Sequence, residues 1–140
     1  RADYIHSIAD LLEVSPDGTE AAVLAQGPAV RGLDVGTGAS CIYCLLGVRE
    51  YGWTFIASDI DSTAIESARG IINQNGLSGQ IELRWQQDAN SIFGDGVIAG
   101  SENLAFCMCN PPFHETLEHA RRSTEGKWSR LGRAAKQGAE

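Results

Sequence analysis

Short apolar segments alternate with helix-forming segments along this chain, and this alternation is the feature that most limits its fold. Segments with the length and composition of buried strands lie at residues 31–35, 54–58, 81–85 and 104–109. Helix-forming segments lie at residues 3–13, 40–49 and 63–75. Strands that alternate with helices form a parallel sheet with right-handed crossovers. The sequence therefore predicts an α/β fold with a Rossmann-like, doubly wound parallel sheet.

The third predicted helix is marked at both ends. Thr63 and Glu66 have the spacing of a capping box, in which the two side chains close the first turn of a helix. Gly76 follows the last residue with helical periodicity and is typical of a helix terminator. We therefore predict a helix that begins at Thr63 and ends before Gly76.

Length and composition indicate one domain with its own core. The chain has 140 residues, of which 43% are hydrophobic and 21% charged, as in most globular proteins. No apolar run approaches the roughly 20 residues that a membrane span needs, and nothing resembles a secretory signal. These features predict a cytoplasmic protein with no membrane partner.

Charge is distributed unevenly along the chain. The net charge is −7, which is unusual for a nucleic-acid binder. Basic side chains nevertheless concentrate near the carboxyl end, at Arg121, Arg122, Lys127, Arg130, Arg133 and Lys136. We predict a core over residues 1–120, with its later strands missing, and a basic, flexible segment over residues 121–140. That segment is either a solvated tail or an arm that contacts phosphates.

The four cysteines fall into two pairs. Cys41 and Cys44 have the CxxC spacing found in zinc sites, whereas Cys107 and Cys109 lie within an apolar segment. Neither pair is accompanied by a second suitably spaced CxxC or HxxxH. We therefore predict reduced thiols that pack as small apolar residues, as in cytosolic proteins, and no metal site.

The loop after the first predicted strand is rich in glycine. Gly36 and Gly38 flank Thr37, and glycine permits positive φ and a close approach of backbone to a ligand. The loop is not a dinucleotide fingerprint, because Cys41 occupies the third glycine position, and no P-loop lysine follows. A DxGxG sequence after a first strand is typical of S-adenosylmethionine sites. We predict that Asp34, Gly36, Thr37 and Gly38 bind this cofactor.

Acidic residues also follow the next two predicted strands. Asp59 ends the second strand, where a carboxylate can accept both hydroxyls of a ribose. Asp88 follows the third strand, at a position that faces the cofactor adenine in folds of this type, although a polar loop is the alternative interpretation. We predict that Asp59 and Asp88 bind the cofactor. Asp61 fits the negative charge that is favoured before a helix and is assigned no ligand.

The sequence Asn110-Pro111-Pro112-Phe113 is the strongest functional signal in the chain. An amine attached to an aromatic ring is a poor nucleophile, because its lone pair is delocalised into the ring. An Asn side-chain oxygen and a Pro carbonyl oxygen can each accept one N–H, which raises electron density on the nitrogen and aims its lone pair at a sulfonium methyl. The prolines place these acceptors before the substrate arrives, and Phe113 offers a face for an extruded base. We predict Asn110, Pro111, Pro112 and Phe113 as the catalytic residues.

The glycine-rich loop and this loop follow the first and fourth predicted strands. In a doubly wound sheet, these two strands flank the point where strand order reverses, and ligands bind there beyond the carboxyl ends. The two loops are therefore predicted to form one active site.

Residues 31–43, 51–53, 58–61 and 106–114 resemble one family of class I methyltransferases, and the resemblance runs from Arg1 to about Glu115. This family methylates adenine N6 in large-subunit ribosomal RNA of bacteria. Its animal relatives modify a spliceosomal small nuclear RNA and certain messenger RNA hairpins. The resemblance implies S-adenosylmethionine as cofactor and RNA as partner. This sequence departs from the family at Cys44, where relatives often have proline. The family's chains also continue beyond this length.

The resemblance also implies roles at matching positions. Arg1 would contact the methionine carboxylate of the cofactor, and Gly36 would lie against its methionine part. Asp59 would hold the ribose. Asn110 would bind the target amine, and Phe113 would hold the base.

Two other functions remain open from the sequence. A protein glutamine-N5 methyltransferase uses a related motif, but its aromatic residue is usually tyrosine, whereas this chain has Phe113. A non-catalytic fragment that binds cofactor or RNA is the second, because the later strands of the fold are missing.

Overall fold

The computed structural model describes residues 1–13, 25–94 and 96–111. In chain order its elements are α1 (Ala2–Glu13), β1 (Arg31–Val35), α2 (Ile42–Tyr51), β2 (Thr54–Asp59), α3 (Ser62–Gln74), β3 (Ile81–Trp85) and β4 (Phe106–Cys109). This order confirms the predicted alternation of strands and helices. The predicted segment 121–140, Pro112 and Phe113 lie outside the described residues. Within the described ranges, every helix is too short or too polar to cross a lipid bilayer.

All pairings in the sheet are parallel, and the strand order is β3-β2-β1-β4. From β1 the chain proceeds outward to β2 and β3, then returns to the other side of β1 as β4. The carboxyl ends of β1 and β4 therefore flank the switch point, as predicted. In the part of the chain that the structure describes, β4 pairs only with β1, so its outer edge is open.

The described helices pack on one face of the sheet, here called the helix face. Its strand residues include Phe55, Ala57, Ile81 and Met108. Helix residues buried against them are Ile5 and Ala9 of α1, Cys44 and Val48 of α2, and Ala68 and Ile72 of α3. The rings of Trp53, Phe55 and Phe106 pack together, with centroids 5.0 to 6.2 Å apart. Apolar and aromatic packing thus forms the larger part of the core.

The opposite face, here called the loop face, is covered differently. Leu33, Val35 and Ile56 pack there against Val97, which belongs to the long connection between β3 and β4. This connection is fixed by charge. The Arg84 guanidinium donates to the Val97 carbonyl oxygen at 2.6 Å and forms two hydrogen bonds to the Glu102 carboxylate. These bonds lower the pKa of Glu102 to about 2.

The sequence predicted the wrong capping residue for the start of α3. Asp61 is the N-cap, because its backbone is extended and its side chain accepts from the Thr63 N–H at 2.8 Å. Thr63 therefore lies inside the first turn, and Glu66 faces Arg69 at 3.4 Å instead of closing a capping box. A carboxylate two residues before Thr63 was the better acceptor for the first free N–H groups. At the other end, Gly76 has a φ of 68° just beyond the C-cap, as the sequence predicts.

Other boundaries shifted by one or two residues. β4 begins at Phe106 and not at Leu104, and β2 includes Asp59. α2 begins at Ile42 rather than residue 40, because Cys41 takes a left-handed conformation with φ 48° and ψ 33°. Such a conformation is uncommon for a residue with a side chain, and no sequence pattern indicated it.

Candidate functional site

The glycine turn, residues 36–38, is bound tightly to the end of β2. Gly36 and Gly38 have φ values of 74° and 68°, which confirms the predicted need for glycine. The N–H groups of Gly36 and Thr37 both donate to the Ser58 carbonyl oxygen, at 2.8 and 2.9 Å. These two bonds give the turn a defined backbone conformation.

The described residues leave space beside the turn. A Cβ atom added at Gly36 or at Gly38 would meet none of their atoms within 4 Å. Glycine is therefore required here for its positive φ, and the open side of each residue can receive a ligand at close range.

Asp59 joins the turn to β2 through its side chain. Its carboxylate is largely buried, at 9% exposure. One oxygen accepts from the Gly38 N–H at 2.8 Å, and the other accepts from the Asp61 N–H at 2.9 Å. Each carboxylate oxygen can accept a further hydrogen bond, so the predicted contact with ribose hydroxyls fits this geometry. The bond to Gly38 was not predicted, because it joins residues that are distant in the sequence.

Asp34 lies beneath the turn and is only 1% exposed. The Cys44 thiol donates to its Oδ2 atom at 3.5 Å. Burial is the main cause that raises the pKa of Asp34, and the like charge of Asp59 adds to it. Asp34 was predicted as a cofactor-binding residue, and the structure places its side chain among buried groups rather than on the open side of the turn.

The start of α2 adds two buried thiols to this region. Thr37 donates from its hydroxyl to the Cys41 Sγ atom at 3.2 Å, and the Cys44 Sγ atom lies 3.9 Å from the same hydroxyl. Burial raises the pKa of the Cys44 thiol well above its usual value, so this thiol keeps its proton. Cys41 and Cys44 were predicted to be apolar filling, but they take part in a polar network. The feature of the sequence that could have indicated this network was the CxxC spacing at the start of a predicted helix.

Asn110 directly follows β4 at the same edge of the sheet as the glycine turn. In the parallel pairing of β1 with β4, Val35 is opposite Cys109. Gly36 and Asn110 are therefore the next residues along two neighbouring strands, whose separation is about 4.8 Å in a sheet. Asn110 is exposed. The backbone thus brings Asn110, the first residue of the second predicted loop, to the same edge of the sheet as the glycine turn.

Asp88 follows β3 and helps to line a cavity of about 360 Å³, together with Trp85, Gln86 and Val97. Its side chain accepts from the Asn90 N–H at 2.9 Å, and its carbonyl oxygen accepts from the Gln86 side chain at 2.9 Å. Asp88 is therefore a turn-forming residue at the rim of a cavity. Both interpretations of this residue, a cofactor contact and a polar loop, are compatible with that position.

Arg1 is exposed and directly precedes α1. One turn later, the ring of Tyr4 packs edge-on against Tyr43, with centroids 5.3 Å apart. Burial and the charge of Asp34 raise the pKa of Tyr4. This contact attaches the start of α1 to α2, the helix that follows the glycine turn. The role of Tyr4 was not predicted.

These features together suit one class of ligand. A fixed turn with open glycines and a partly satisfied carboxylate fits a nucleoside-containing ligand. No group of three or more His, Cys, Asp or Glu side chains that could hold a metal ion occurs in residues 1–13, 25–94 and 96–111.

Comparison with known proteins shows the family of this chain. A family model described as RNA methyltransferase matches residues 1–140. The chain is 48% identical over 134 residues to ribosomal RNA large subunit methyltransferase F of Pseudomonas syringae pv. syringae (strain B728a). The matched region is 96% of this chain but 39% of that protein. The chain thus spans about two fifths of the length of this curated relative.

Solved structures are similar over most of the chain. The hMettl16 catalytic domain in complex with the MAT2A 3'UTR hairpin 1 is 34% identical with a TM-score of 0.65, over 85% of this chain and 36% of that chain. The N-terminal domain of human METTL16 in complex with SAH is 33% identical with a TM-score of 0.63, over 91% of this chain and 49% of that chain. Family match and fold agree, and this chain belongs to the RNA methyltransferase family.

Proposed function

We propose that this chain is the cofactor-binding core of an S-adenosylmethionine-dependent methyltransferase that acts on adenine N6 of RNA, in particular large-subunit ribosomal RNA. The observation that carries the proposal is that the glycine turn and Asn110 lie at one edge of the sheet. There, they follow the paired residues Val35 and Cys109. A methyl donor held at the turn would then lie next to an amine bound by Asn110.

Support for the cofactor comes from the turn and from the comparisons. The open sides of Gly36 and Gly38 can receive the methionine part, and Asp59 can accept the ribose hydroxyls. A similar human domain was solved with SAH, the demethylated form of the same cofactor. Arg1 and Asp88 are proposed as further contacts, to the methionine carboxylate and to the adenine.

RNA is the proposed substrate because of the relatives' names and the chemistry of residues 110–113. The similar proteins include a ribosomal RNA methyltransferase and a domain bound to an RNA hairpin. These names support an RNA substrate over a protein glutamine. Asn110 and the carbonyl of Pro111 would accept the two N–H bonds of the adenine amine, and Phe113 would stack on the extruded base. Adenines in loops or single strands suit this site, since duplex RNA hides its base edges.

A non-catalytic binding fragment is a second candidate, because the chain spans only 39% of the length of its relative. The open outer edge of β4 in the described part of the chain also favours it. Assays of cofactor binding and of methyl transfer to RNA decide between the two candidates. Binding of S-adenosylhomocysteine without methyl transfer to any RNA supports the fragment.

The main test combines two variants with different expected defects. Asn110→Ala removes an acceptor that acts mainly in the transition state, so methyl transfer should fall by about 100-fold or more while cofactor affinity stays within about twofold. Asp59→Ala should instead weaken cofactor binding by about tenfold or more, because both carboxylate oxygens are lost. Mass spectrometry of nucleosides from treated ribosomal RNA and calorimetry with S-adenosylhomocysteine measure the two effects.

Matched controls are available in the same chain. Asn103→Ala changes an exposed asparagine before β4, and Asp10→Ala changes an exposed aspartate of α1. Neither should alter methyl transfer or cofactor affinity. Exchanged phenotypes of Asn110→Ala and Asp59→Ala would refute the assigned roles.

The proposal divides the chain into a core over residues 1–120 and a basic segment over residues 121–140. RNA binding by the acidic core should be weak, and most of it should depend on the basic segment and on low salt. Filter binding with and without residues 121–140, at two salt concentrations, measures this. Salt-insensitive binding, or binding that survives the deletion, contradicts it. The free cysteines fit a cytoplasmic location.

A further inference from the structure

The buried thiols at the start of α2 have no part in the proposed function as described so far. Cys44 lies in the first turn of α2 and is completely buried. Its thiol donates to Asp34 Oδ2 at 3.5 Å. A side chain that only filled space at this position would need no donor.

Asp34 needs such a donor because of its surroundings. Its carboxyl is 1% exposed, and no arginine or lysine forms an ion pair with it among the described residues. The charged side chain that influences the pKa of Asp34 is Asp59, which carries the same sign of charge. A buried acceptor that loses its hydrogen bond costs far more than the bond itself contributes.

The same thiol pair also contacts the glycine turn. The hydroxyl of Thr37 lies between the Cys41 and Cys44 sulfur atoms, at 3.2 and 3.9 Å. The backbone N–H of Thr37 is one of the two that bind the Ser58 carbonyl oxygen. The conformation of the turn is therefore connected to the sulfur atoms through Thr37. It is connected to Asp34 through Cys44 and also through the Thr37 side chain, whose hydrogen bonding lowers the pKa of Asp34 against the effect of burial.

We infer that Cys44 is a positioning residue for the cofactor site. Its S–H group donates to the buried Asp34 carboxyl, and its sulfur atom lies beside the Thr37 hydroxyl, which donates to Cys41, so the glycine turn keeps the conformation that receives the cofactor. This inference rests on the proposed function of the turn as the S-adenosylmethionine site. It assigns no contact between Cys44 and the cofactor.

Three substitutions separate donation from simple filling of space. Cys44→Ala removes the donor and should weaken S-adenosylhomocysteine binding by about five- to tenfold. Cys44→Ser keeps a donor in a smaller side chain and should recover affinity to within about threefold of the unsubstituted chain. Val48→Ala removes buried volume from the same helix without touching Asp34 or Thr37, so it should lower the melting temperature and leave affinity within about twofold.

A double-substitution cycle tests whether Cys44 acts through Asp34. Asp34→Ala removes the acceptor of the Cys44 thiol. In that background, Cys44→Ala should lower affinity by a clearly smaller factor than in the unsubstituted chain, because only its contact with Thr37 remains to be lost. An equal loss in both backgrounds, or no loss from Cys44→Ala in either, overturns the inference.

Hydrogen exchange gives a readout that needs no ligand. In Cys44→Ala, the amide hydrogens of Gly36, Thr37 and Gly38 should exchange faster, and in Val48→Ala they should not exceed the general change of the core. Unchanged exchange at these three amides in Cys44→Ala also overturns the inference. Failure of the unsubstituted chain to bind S-adenosylhomocysteine counts against the proposed function instead, and the exchange experiment then still decides the role of Cys44.

Discussion

The two faces of the sheet are stabilised by different forces. On the helix face, Trp53, Phe55 and Phe106 pack with residues from the three described helices. On the loop face, a smaller cluster around Leu33 and Ile56 is closed by a loop. That loop is fixed to β3 by the bonds between Arg84 and Glu102. The helix face is therefore stabilised by the packing of side chains. The cover of the loop face depends in addition on the charged bonds between Arg84 and Glu102.

This difference bears on the candidate site. Asp34 and Cys44 place the underside of the glycine turn on the helix face, where apolar packing is dense and insensitive to salt. The connection that includes Asp88 belongs to the loop face, and its position depends on ionised side chains. We therefore expect cofactor affinity at the turn to resist changes of solvent that loosen the connection between β3 and β4.

The largest expected effect is crowding on the helix face. Gly32 pairs with Phe106 in the sheet, and an added Cβ would collide with the Phe106 ring. Gly32→Ala should therefore reduce the free energy of unfolding by about 2–3 kcal/mol, measured by urea denaturation. Gly79→Ala is the control, because its added Cβ would meet no atom of the described part of the chain within 4 Å. A Gly32→Ala chain as stable as the control would show that this face is not densely packed.

An intermediate effect is expected from the charged anchor of the loop face. Glu102→Gln should cost about 1–2 kcal/mol at neutral pH, since it leaves Arg84 with a neutral acceptor. The folded-state pKa of Glu102 is lowered from 4.5 to about 2, so the contribution of its charge is present above pH 4.5 and is lost as pH falls towards 2. Thermal melting from pH 7 to pH 2 should show the two chains converging. A gap that stays constant with pH would mean that packing, not charge, fixes this loop.

The smallest effect is expected at the exposed end of the same network. Glu82 pairs with Arg31 at 2.7 Å, but its side chain is 52% exposed. Glu82→Ala should cost about 0.5 kcal/mol or less, and the loss should vanish in high salt. Denaturation at low and high salt measures this. A larger loss that does not depend on salt would mean that Glu82 stabilises the protein through packing rather than through its charge.

Local patterns in the sequence determined the elements of the fold and the positions of its turns. Periodicity predicted each described strand and helix to within two residues, because the period of apolar side chains reflects backbone geometry directly. Gly36, Gly38 and Gly76 were predicted at positions of positive φ, since glycine alone adopts that region without strain. The position of Asn110 at the same edge as the glycine turn also followed from the sequence, through the regular topology of parallel sheets.

Only the tertiary structure decided which side chains meet. The bond from Gly38 to Asp59, the thiol of Cys44 on Asp34, and the anchor between Arg84 and Glu102 join residues that no local pattern relates. Asp61 took the capping position that Thr63 was expected to fill, because competition between neighbouring acceptors is settled by distance in space. Spacing along a chain specifies backbone, whereas the partner of a buried polar group depends on what the whole fold brings within about 3 Å of it.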